Sequence, residues 1–193
     1  MQDLNNKYDL RRNILNQSGI VIWLTGLPGS GKSTLANELE IKLLQIKKFV
    51  YVLDGDNIRN GLNSDLGFSE DDRNENIRRI AELATLLKDA SIITIVAFIS
   101  PFRKMREFAR MRAGKENFLE IYIKATLETC IKRDPKGLYK KAINNEIPDF
   151  TGITSAYEEP SNPDLVIDTE KLNIKESTDL LTEFVLKHVN KLH

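Results

Sequence analysis

A glycine-rich stretch near the start of the chain has the residue types and spacing of a phosphate-binding loop. The stretch reads Gly26-Leu27-Pro28-Gly29-Ser30-Gly31-Lys32-Ser33-Thr34. It fits the pattern G-x-x-x-x-G-K-[ST], in which successive backbone N–H groups point inward and, with the start of the next helix, form an anion site. We expect Lys32 to contact the β and γ phosphates of a nucleoside triphosphate and Ser33 to ligate Mg²⁺.

The flanks of this loop favour a binding site over a chance glycine-rich turn. An apolar run at 20–24 precedes it, and Leu35, Leu39 and Leu43 follow at the four-residue spacing of a helix face. Strand, loop and helix in that order is the context in which the pattern binds a nucleotide. The sequence therefore predicts binding of ATP or a related triphosphate.

Alternating apolar runs and helical patterns predict the fold. Strands are expected at 20–24, 49–53, 91–99, 118–123 and 165–167, and helices at 32–46, 71–89, 102–112, 126–133 and 174–192. Continuous apolar runs are typical of strands covered on both faces, so we expect an α/β fold with three layers, a mostly parallel five-stranded sheet between helices. Ligands bind such sheets at the carboxyl ends of the strands.

Composition narrows the class of protein. The 193 residues fit one domain at 19–193 preceded by an arm at 1–18, which is expected to be loose or a short helix. Twenty-eight basic and 28 acidic residues leave no net charge, which disfavours a nucleic-acid partner. No apolar run approaches the ~20 residues of a membrane span. With Cys130 as its one cysteine and no signal-peptide pattern, the chain is expected to be cytoplasmic.

Two acidic residues follow the second predicted strand. Asp54 and Asp56 would face the phosphate loop, where they could hold the water shell of Mg²⁺ or accept a proton from an attacking hydroxyl. The alternative is a plain Asp-Gly turn at 54–55, which needs no function. The neighbouring loop favours the functional interpretation.

Three further features could serve a second substrate. Phe68 lies outside any helical pattern, so it is either a loop aromatic that stacks on a base or a core anchor, while Ser69 and Asp72 resemble a capping box. Ser100 follows the third strand without a nearby base, which favours a hydrogen-bonding contact over a nucleophile. The segment 101–112 has five basic residues and one acidic residue, typical of a solvated helix face with some steering of anions.

A basic segment at about 130–152 has the composition of a mobile lid. A helix is expected to end at Asp134-Pro135, followed by a short helix and a polar loop that contains Phe150. Such a segment could close over phosphates and exclude water.

Six motifs occur in an order that resembles the adenylylsulfate kinase (APS kinase) family. They are GLPGSGKST, DGDNIR, GFSEDDRNENIRR, FISPFRK, RDPKGLYKKA and DFTGI, and they cover about residues 19–169. The family transfers the γ-phosphoryl of MgATP to the 3′-hydroxyl of adenosine 5′-phosphosulfate (APS), giving PAPS and ADP. The resemblance implies the same activity in sulfate assimilation, and a homodimer.

The resemblance also assigns roles to individual residues. Phe68 and Phe150 would sandwich the substrate adenine, and Arg133 would contact the base or phosphates of ATP. The remaining substrate contacts would come from Asp56, Arg59, Arg73, Asn76, Ile99, Ser100, Lys136 and Leu138. Ser100 matches a serine that the family describes as a phosphoserine intermediate, whereas the residues around it favour direct transfer.

Two alternatives stay open at this point. A kinase of the same fold could act on another small nucleotide, because fold and phosphate loop do not fix the acceptor. A nucleotide-binding regulatory switch is the other, and it would need guanine-specific motifs and a water-positioning glutamine that we do not find.

Overall fold

The computed structural model of the chain describes residues 2–189, with side chains from residue 7 onward. Within this range the chain forms five strands and eight α-helices. The strands are β1 (Ile20–Thr25), β2 (Val50–Asp54), β3 (Ile93–Ala97), β4 (Phe118–Lys124) and β5 (Leu165–Asp168). The helices are α1 (Gln2–Leu15), α2 (Lys32–Gln45), α3 (Gly55–Asn60), α4 (Glu70–Asp89), α5 (Arg103–Ala113), α6 (Leu127–Arg133), α7 (Leu138–Ile143) and α8 (Ile174–Val189).

The strands form one parallel sheet in the order β2-β3-β1-β4-β5. β1 lies at its centre, where Leu24 pairs with Ala97 of β3 and with Ile121 of β4. The carboxyl ends of all five strands therefore lie on the same side of the sheet. The phosphate loop follows the central strand on that side. The predicted α/β fold with a parallel five-stranded sheet is confirmed.

Alternation of side chains along β1 divides the core into two layers. Ile20, Ile22 and Leu24 pack on one face with residues of α2 and α8. Val21 and Trp23 pack on the other face with residues of α4 and α5. Because both faces are covered, every residue of β1 is buried, as its continuous apolar sequence predicts.

The two edge strands depart from the prediction of full coverage. Tyr51 of β2 is 56% exposed and Val166 of β5 is 45% exposed. Each of these strands has a neighbouring strand on one side only, so it lies at the margin of the sheet. The expectation of coverage on both faces is right for β1, β3 and β4 and wrong for these two.

Several helix boundaries also differ from the prediction. The arm is a fourteen-residue helix, α1, and the Asp54-Gly55 pair begins a short helix, α3, in place of a turn. Ser69 caps α4 by accepting a hydrogen bond from the Asp72 N–H, as predicted. Residues 190–192 of the predicted last helix lie outside the described residues. Across residues 2–189 no helix combines the length and the apolar character needed to cross a membrane.

Candidate active site

The phosphate loop depends on backbone that only glycine adopts easily. Gly31 has φ +106° and immediately precedes α2, and Gly29 has φ +76° where an added Cβ would lie 3.4 Å from the Cys130 carbonyl oxygen. A glycine cap also leaves the first N–H groups of α2 without a capping side chain. Ser33 and Thr34 of this first helical turn line the adjoining cavity, so these donors are available to an anion.

Lys32 lies beneath the loop with its ammonium group facing inward. Its Nζ donates hydrogen bonds to the carbonyl oxygens of Gly26 at 2.9 Å and Leu27 at 2.7 Å, and the residue is only 8% exposed. Burial removes water from the charged form and lowers the pKa of Lys32 to about 8. Because the protein solvates the Lys32 ammonium poorly, the bound phosphates of a nucleotide would stabilise its charged form.

Ser33 and Asp54 form an oxygen pair at the foot of the loop. The Ser33 hydroxyl donates to Asp54 Oδ2 at 2.6 Å, and Asp54 Oδ1 accepts from the Asp56 N–H at 3.0 Å. The second bond makes Asp54 the N-cap of α3 and fixes its side chain. Asp56 forms an ion pair with Lys136 across the cavity.

The predicted acceptor residues cluster beside the loop. The Arg59 guanidinium lies 4.5 Å from the centroid of the Phe68 ring and donates to the Gly67 carbonyl oxygen at 2.8 Å. Phe68 is 58% exposed, so it is not a core anchor. Arg73 is nearly buried and donates to Ser155 Oγ at 2.8 Å.

Asn76 completes this group of polar side chains. Its Oδ1 accepts from Asn63 Nδ2 at 2.8 Å, and both asparagines are buried. With Oδ1 engaged, the amide group of Asn76 is left to donate toward the cavity that the residue lines. The acceptor side thus presents cations and an amide donor, which suits an anionic ligand.

Ser100 is held in a buried network of hydroxyl groups. Its Oγ accepts from Trp23 Nε1 at 3.0 Å and donates to Thr25 Oγ1 at 3.1 Å. Thr25 gives its own proton to the Ile99 carbonyl oxygen at 2.7 Å, so Tyr157 must also donate to Thr25. No group in this network is a base, and we therefore assign the Ser100 hydroxyl to positioning rather than to nucleophilic attack.

The predicted lid covers the loop through α6 and α7. Tyr139 donates its hydroxyl proton to the Pro28 carbonyl oxygen at 2.9 Å, and its ring contacts Phe150 edge-on at a centroid distance of 5.0 Å. Arg133 donates to Thr169 Oγ1 at 2.9 Å. Asp134 accepts from the first N–H groups of α7, including that of Tyr139, and so fixes the turn between the two helices.

One cavity of about 1350 Å³ connects these groups. It is larger than the roughly 300–1,000 Å³ typical of a pocket for one small ligand, so it has room for two substrates side by side. The predicted site residues in its wall are Pro28, Gly29, Ser30, Gly31, Lys32, Ser33, Thr34, Asp54, Asp56, Arg59, Phe68, Arg73, Asn76, Ile99, Ser100, Arg133, Lys136, Leu138 and Phe150.

Gly26 and Leu27 are predicted ATP-binding residues that the structure places outside the wall. The Leu27 side chain packs beneath the lid with Cys130, Tyr139 and Phe150. The two residues contribute their carbonyl oxygens to Lys32, and their contact with ATP stays a prediction. They therefore shape the loop and hold its lysine.

Known proteins resemble this chain along most of its length. Residues 18–168 match the protein family described as Adenylylsulphate kinase. A probable adenylyl-sulfate kinase of Halalkalibacterium halodurans is 57% identical over 165 residues, covering 86% of this chain and 82% of the relative. An adenylyl-sulfate kinase of Clostridium acetobutylicum is 51% identical over 187 residues, covering 97% and 93%. The chain belongs to the adenylylsulfate kinase family.

A solved structure supports the same placement. The APS kinase of Mycobacterium tuberculosis, in complex with AMPPNP and APS, is 45% identical, with a TM-score of 0.85 over 88% of this chain and 99% of that one. The predicted family and kinase class are confirmed. The family's motifs and the cavity wall coincide: each of the six motifs contributes at least one residue to it.

Several site residues are absent from the sequence prediction. Thr169 follows β5 directly and bonds both Arg133 and the Ser30 carbonyl oxygen. The rule that ligands bind at strand ends could have identified it. The same rule applies to Thr25, the last residue of β1. Tyr139 and Tyr157 have no such signal, because their roles come from neighbours that are distant in sequence.

The basic segment at 101–112 is in part the solvated helix face that was expected: Lys104 and Arg112 are exposed, whereas Arg106 is buried. Arg106 pairs with Glu120, Arg110 with Asp164, and Arg112 with Glu82, while Lys104 pairs with Glu70. These pairs join α5 to α4, β4 and the loop before β5. Only the Arg106–Glu120 pair is buried; the Lys104 and Arg112 pairs are exposed and contribute little to stability. Steering of anions by this segment stays a prediction.

We predict that Ser100→Ala retains turnover within about tenfold of the wild type, because a hydroxyl without a neighbouring base is expected to be a contact and not a nucleophile. Loss of a nucleophile would cost several further orders of magnitude. The variant leaves the Trp23 indole N–H without an acceptor, so urea unfolding should show a stability loss of about 1–3 kcal/mol. Radiolabel transferred from ATP to wild-type protein and then chased into product would contradict this prediction.

We predict that nucleotide binding at pH 8.5 takes up protons. Free Lys32, with its pKa lowered to about 8, is then mostly neutral, and bound phosphates restore its charge. Affinity should accordingly fall as the pH rises above 8. Calorimetry in two buffers of different ionisation enthalpy measures the uptake, and Lys42→Ala, on the exposed side of α2, should leave it unchanged. Proton release, or no exchange, would contradict the prediction.

Proposed function

We propose that the protein transfers the γ-phosphoryl group of ATP to the 3′-hydroxyl of APS, giving PAPS and ADP. The observation that carries the proposal is the single cavity that joins the phosphate loop to the Arg59, Phe68, Arg73 and Asn76 cluster. A further support is the relative at 45% identity that was solved with AMPPNP and APS.

We assign the triphosphate to the loop side of the cavity. The N–H groups at the start of α2 and the buried Lys32 ammonium supply positive potential for phosphates. Arg133, held by Thr169 at the cavity wall, is placed to contact ATP from the lid side. Transfer of a phosphoryl group through a loose transition state depends mainly on such alignment and charge neutralisation.

We assign the sulfate nucleotide to the opposite side. Adenine would stack between Phe68 and Phe150, both of which line the cavity, and base–aromatic stacking contributes roughly 1–3 kcal/mol per base. Arg59, Arg73 and Asn76 would hold the phosphosulfate group through charge-assisted hydrogen bonds. The same cavity is also lined by Lys136, Leu138, Ile99 and Ser100, which we assign to the substrate contacts.

The oxygen pair at Ser33 and Asp54 fits Mg²⁺. The two side-chain oxygens lie 2.6 Å apart, and hard oxygen donors in small number, completed by phosphates and water, are what Mg²⁺ uses in phosphoryl-transfer sites. When bound there, the ion neutralises phosphate charge.

The reaction itself exchanges one P–O bond for another. The 3′-oxygen forms a bond to the γ-phosphorus while the bond from that phosphorus to the β,γ-bridging oxygen breaks, and ADP leaves with the electron pair. Asp54 takes or orients the proton of the 3′-hydroxyl, with Asp56 beside it. Lys136 leaves its ion pair with Asp56 as the lid closes and then contacts substrate.

We also propose a homodimer, as the family resemblance implies, and a cytoplasmic location, as the single cysteine and the polar N-terminus indicate. An APS kinase of Thiobacillus denitrificans, 30% identical with a TM-score of 0.68 over 89% of this chain and 29% of that one, is described as hexameric.

The acceptor is tested by measuring ADP release from MgATP with APS, AMP, GMP or a CDP-linked nucleotide. We expect rapid release and a 3′-phosphorylated product with APS alone. Turnover of another nucleotide without turnover of APS would contradict the substrate assignment while leaving the kinase fold and the phosphate loop in place.

We predict that Lys32→Ala and Asp54→Asn each lower kcat/KM by ~10²-fold or more, a magnitude typical of losing one group at a charged transition state. Lys42→Ala and Asp65→Asn are matched controls, because both residues form exposed ion pairs away from the cavity and should keep full activity. Retained activity in either site variant would remove that residue from the mechanism.

A further inference from the structure

Arg106 is the largest charged side chain in the core of the described chain. It is 2% exposed and its guanidinium donates three hydrogen bonds. Nε contacts Glu120 Oε1 at 2.7 Å, Nη1 contacts the Ser100 carbonyl oxygen at 2.6 Å, and Nη2 contacts the Glu158 carbonyl oxygen at 2.7 Å. A buried charge is costly unless it is paired and fully hydrogen-bonded, and here one planar group satisfies three acceptors on separate segments.

The hydrogen bond from Arg106 to the Ser100 carbonyl oxygen fixes the backbone just after the third strand. Ser100 has φ +41°, a conformation that residues other than glycine adopt only where the surroundings enforce it. Its carbonyl oxygen is held by Arg106 and its side chain by Trp23 and Thr25. The corner at Ser100 lines the cavity, whereas Arg106 lies behind the wall and does not.

The hydrogen bond from Arg106 to the Glu158 carbonyl oxygen fixes residues 150–158, the segment that follows the lid. The Glu158 N–H donates to the Pro101 carbonyl oxygen at 2.8 Å, and the Glu158 carboxylate accepts from the Arg103 N–H at 2.8 Å. Tyr157, one residue earlier, bonds Thr25 and lies under the Arg106 guanidinium, 5.8 Å from its ring centroid. We call Arg106, Ser100, Tyr157 and Glu158 the Arg106 clamp.

Residues 150–158, which we call the clamped segment, contribute to the acceptor side of the cavity. Arg73 donates to Thr151 Oγ1 at 3.2 Å and to Ser155 Oγ at 2.8 Å. Phe150 begins the same segment, and its carbonyl oxygen accepts from the N–H groups of Ile153 and Ser155 at 3.1 Å. A displacement at Glu158 would therefore reach both Phe150 and Arg73, while Lys32 and Ser33 belong to α2 and would stay in place.

We infer that Arg106 is a positioning residue for the acceptor nucleotide. It sets the Ser100 corner and the 150–158 segment, and through them the aromatic ring and the guanidinium that receive the acceptor. The inference rests on the proposed function for the identity of that nucleotide. A misplacement of about 1 Å in a binding group can cost orders of magnitude in rate, so this residue can govern affinity without contacting substrate.

The test compares Arg106→Lys with Arg110→Lys in a steady-state assay with MgATP and APS. Lysine keeps the charge but its single ammonium cannot bond three acceptors arranged around a planar fork. Arg110 is the matched control: it lies on the same helix, pairs with Asp164 and approaches Glu120, and contacts neither Ser100 nor Glu158.

We expect Arg106→Lys to raise KM for APS at least tenfold while KM for ATP stays within twofold, and Arg110→Lys to change neither. A purely structural defect would lower the melting temperature and the active fraction without separating the two KM values. Equal changes in both KM values, an unchanged KM for APS, or the same separation in Arg110→Lys would overturn the inference.

A second variant covers the case in which Arg106→Lys does not fold. Tyr157→Phe removes only the hydroxyl that ties the clamped segment to Thr25, and it should raise KM for APS in the same direction by a smaller factor. An unchanged KM for APS in that variant would overturn the inference. If wild-type protein does not turn over APS, the proposed function fails instead, and the same comparison is made with the nucleotide that it does turn over.

Discussion

The parallel pairing of β1 between β3 and β4 is the constraint on which the rest of the structure depends. It places the end of β1 at the middle of the sheet edge, so the glycine-rich loop that follows lies between the residues that leave β2, β3 and β4. Asp54 of β2 pairs with Ala97 of β3, which in turn pairs with Leu24. Three segments that are distant in sequence thus bring an anion-binding loop, a carboxylate and a hydroxyl network to one cavity.

The cavity has two sides with different physical support. On the loop side, backbone N–H groups and one buried ammonium need only the strand–loop–helix unit to be in place. On the acceptor side, Arg73 lies at a helix start and bonds Ser155, and Phe150 is held by hydrogen bonds within its own loop. Phe68 is a loop residue that packs on the Arg59 guanidinium. The Arg106 clamp supplies that support from behind, at the cost of burying a charge that Glu120 and two carbonyl oxygens compensate.

Much of this arrangement could be predicted from the sequence, and the missing part has a physical reason. Strands β1, β3 and β4 could be predicted because burial on both faces leaves a continuous apolar run. Lys32 and Ser33 could be predicted because the phosphate loop requires a fixed spacing of residue types. The capping of α4 by Ser69 is a local contact and was also predictable. α3 was missed because six residues give little periodicity.

Contacts between segments distant in sequence leave no such pattern. Ser100 lies 75 residues from Thr25, and Arg106 reaches Glu158 across 52 residues, so nothing nearby in sequence reveals their partners. The composition of 101–112 indicated a solvated or steering surface, while the structure places Arg106 in the core. Leu27 shows the converse, since a motif position expected to bind nucleotide has a side chain that packs beneath the lid.

The central claim is a single, direct transfer between two nucleotides that share one cavity, with Ser100 in a positioning role. The most direct measurement is the stereochemical course of the reaction with ATP made chiral at its γ-phosphorus by oxygen isotopes. One in-line displacement inverts the configuration at phosphorus, and inversion in the PAPS formed is the predicted result. Retention would mean two displacements through a phosphorylated protein group and would contradict the direct mechanism.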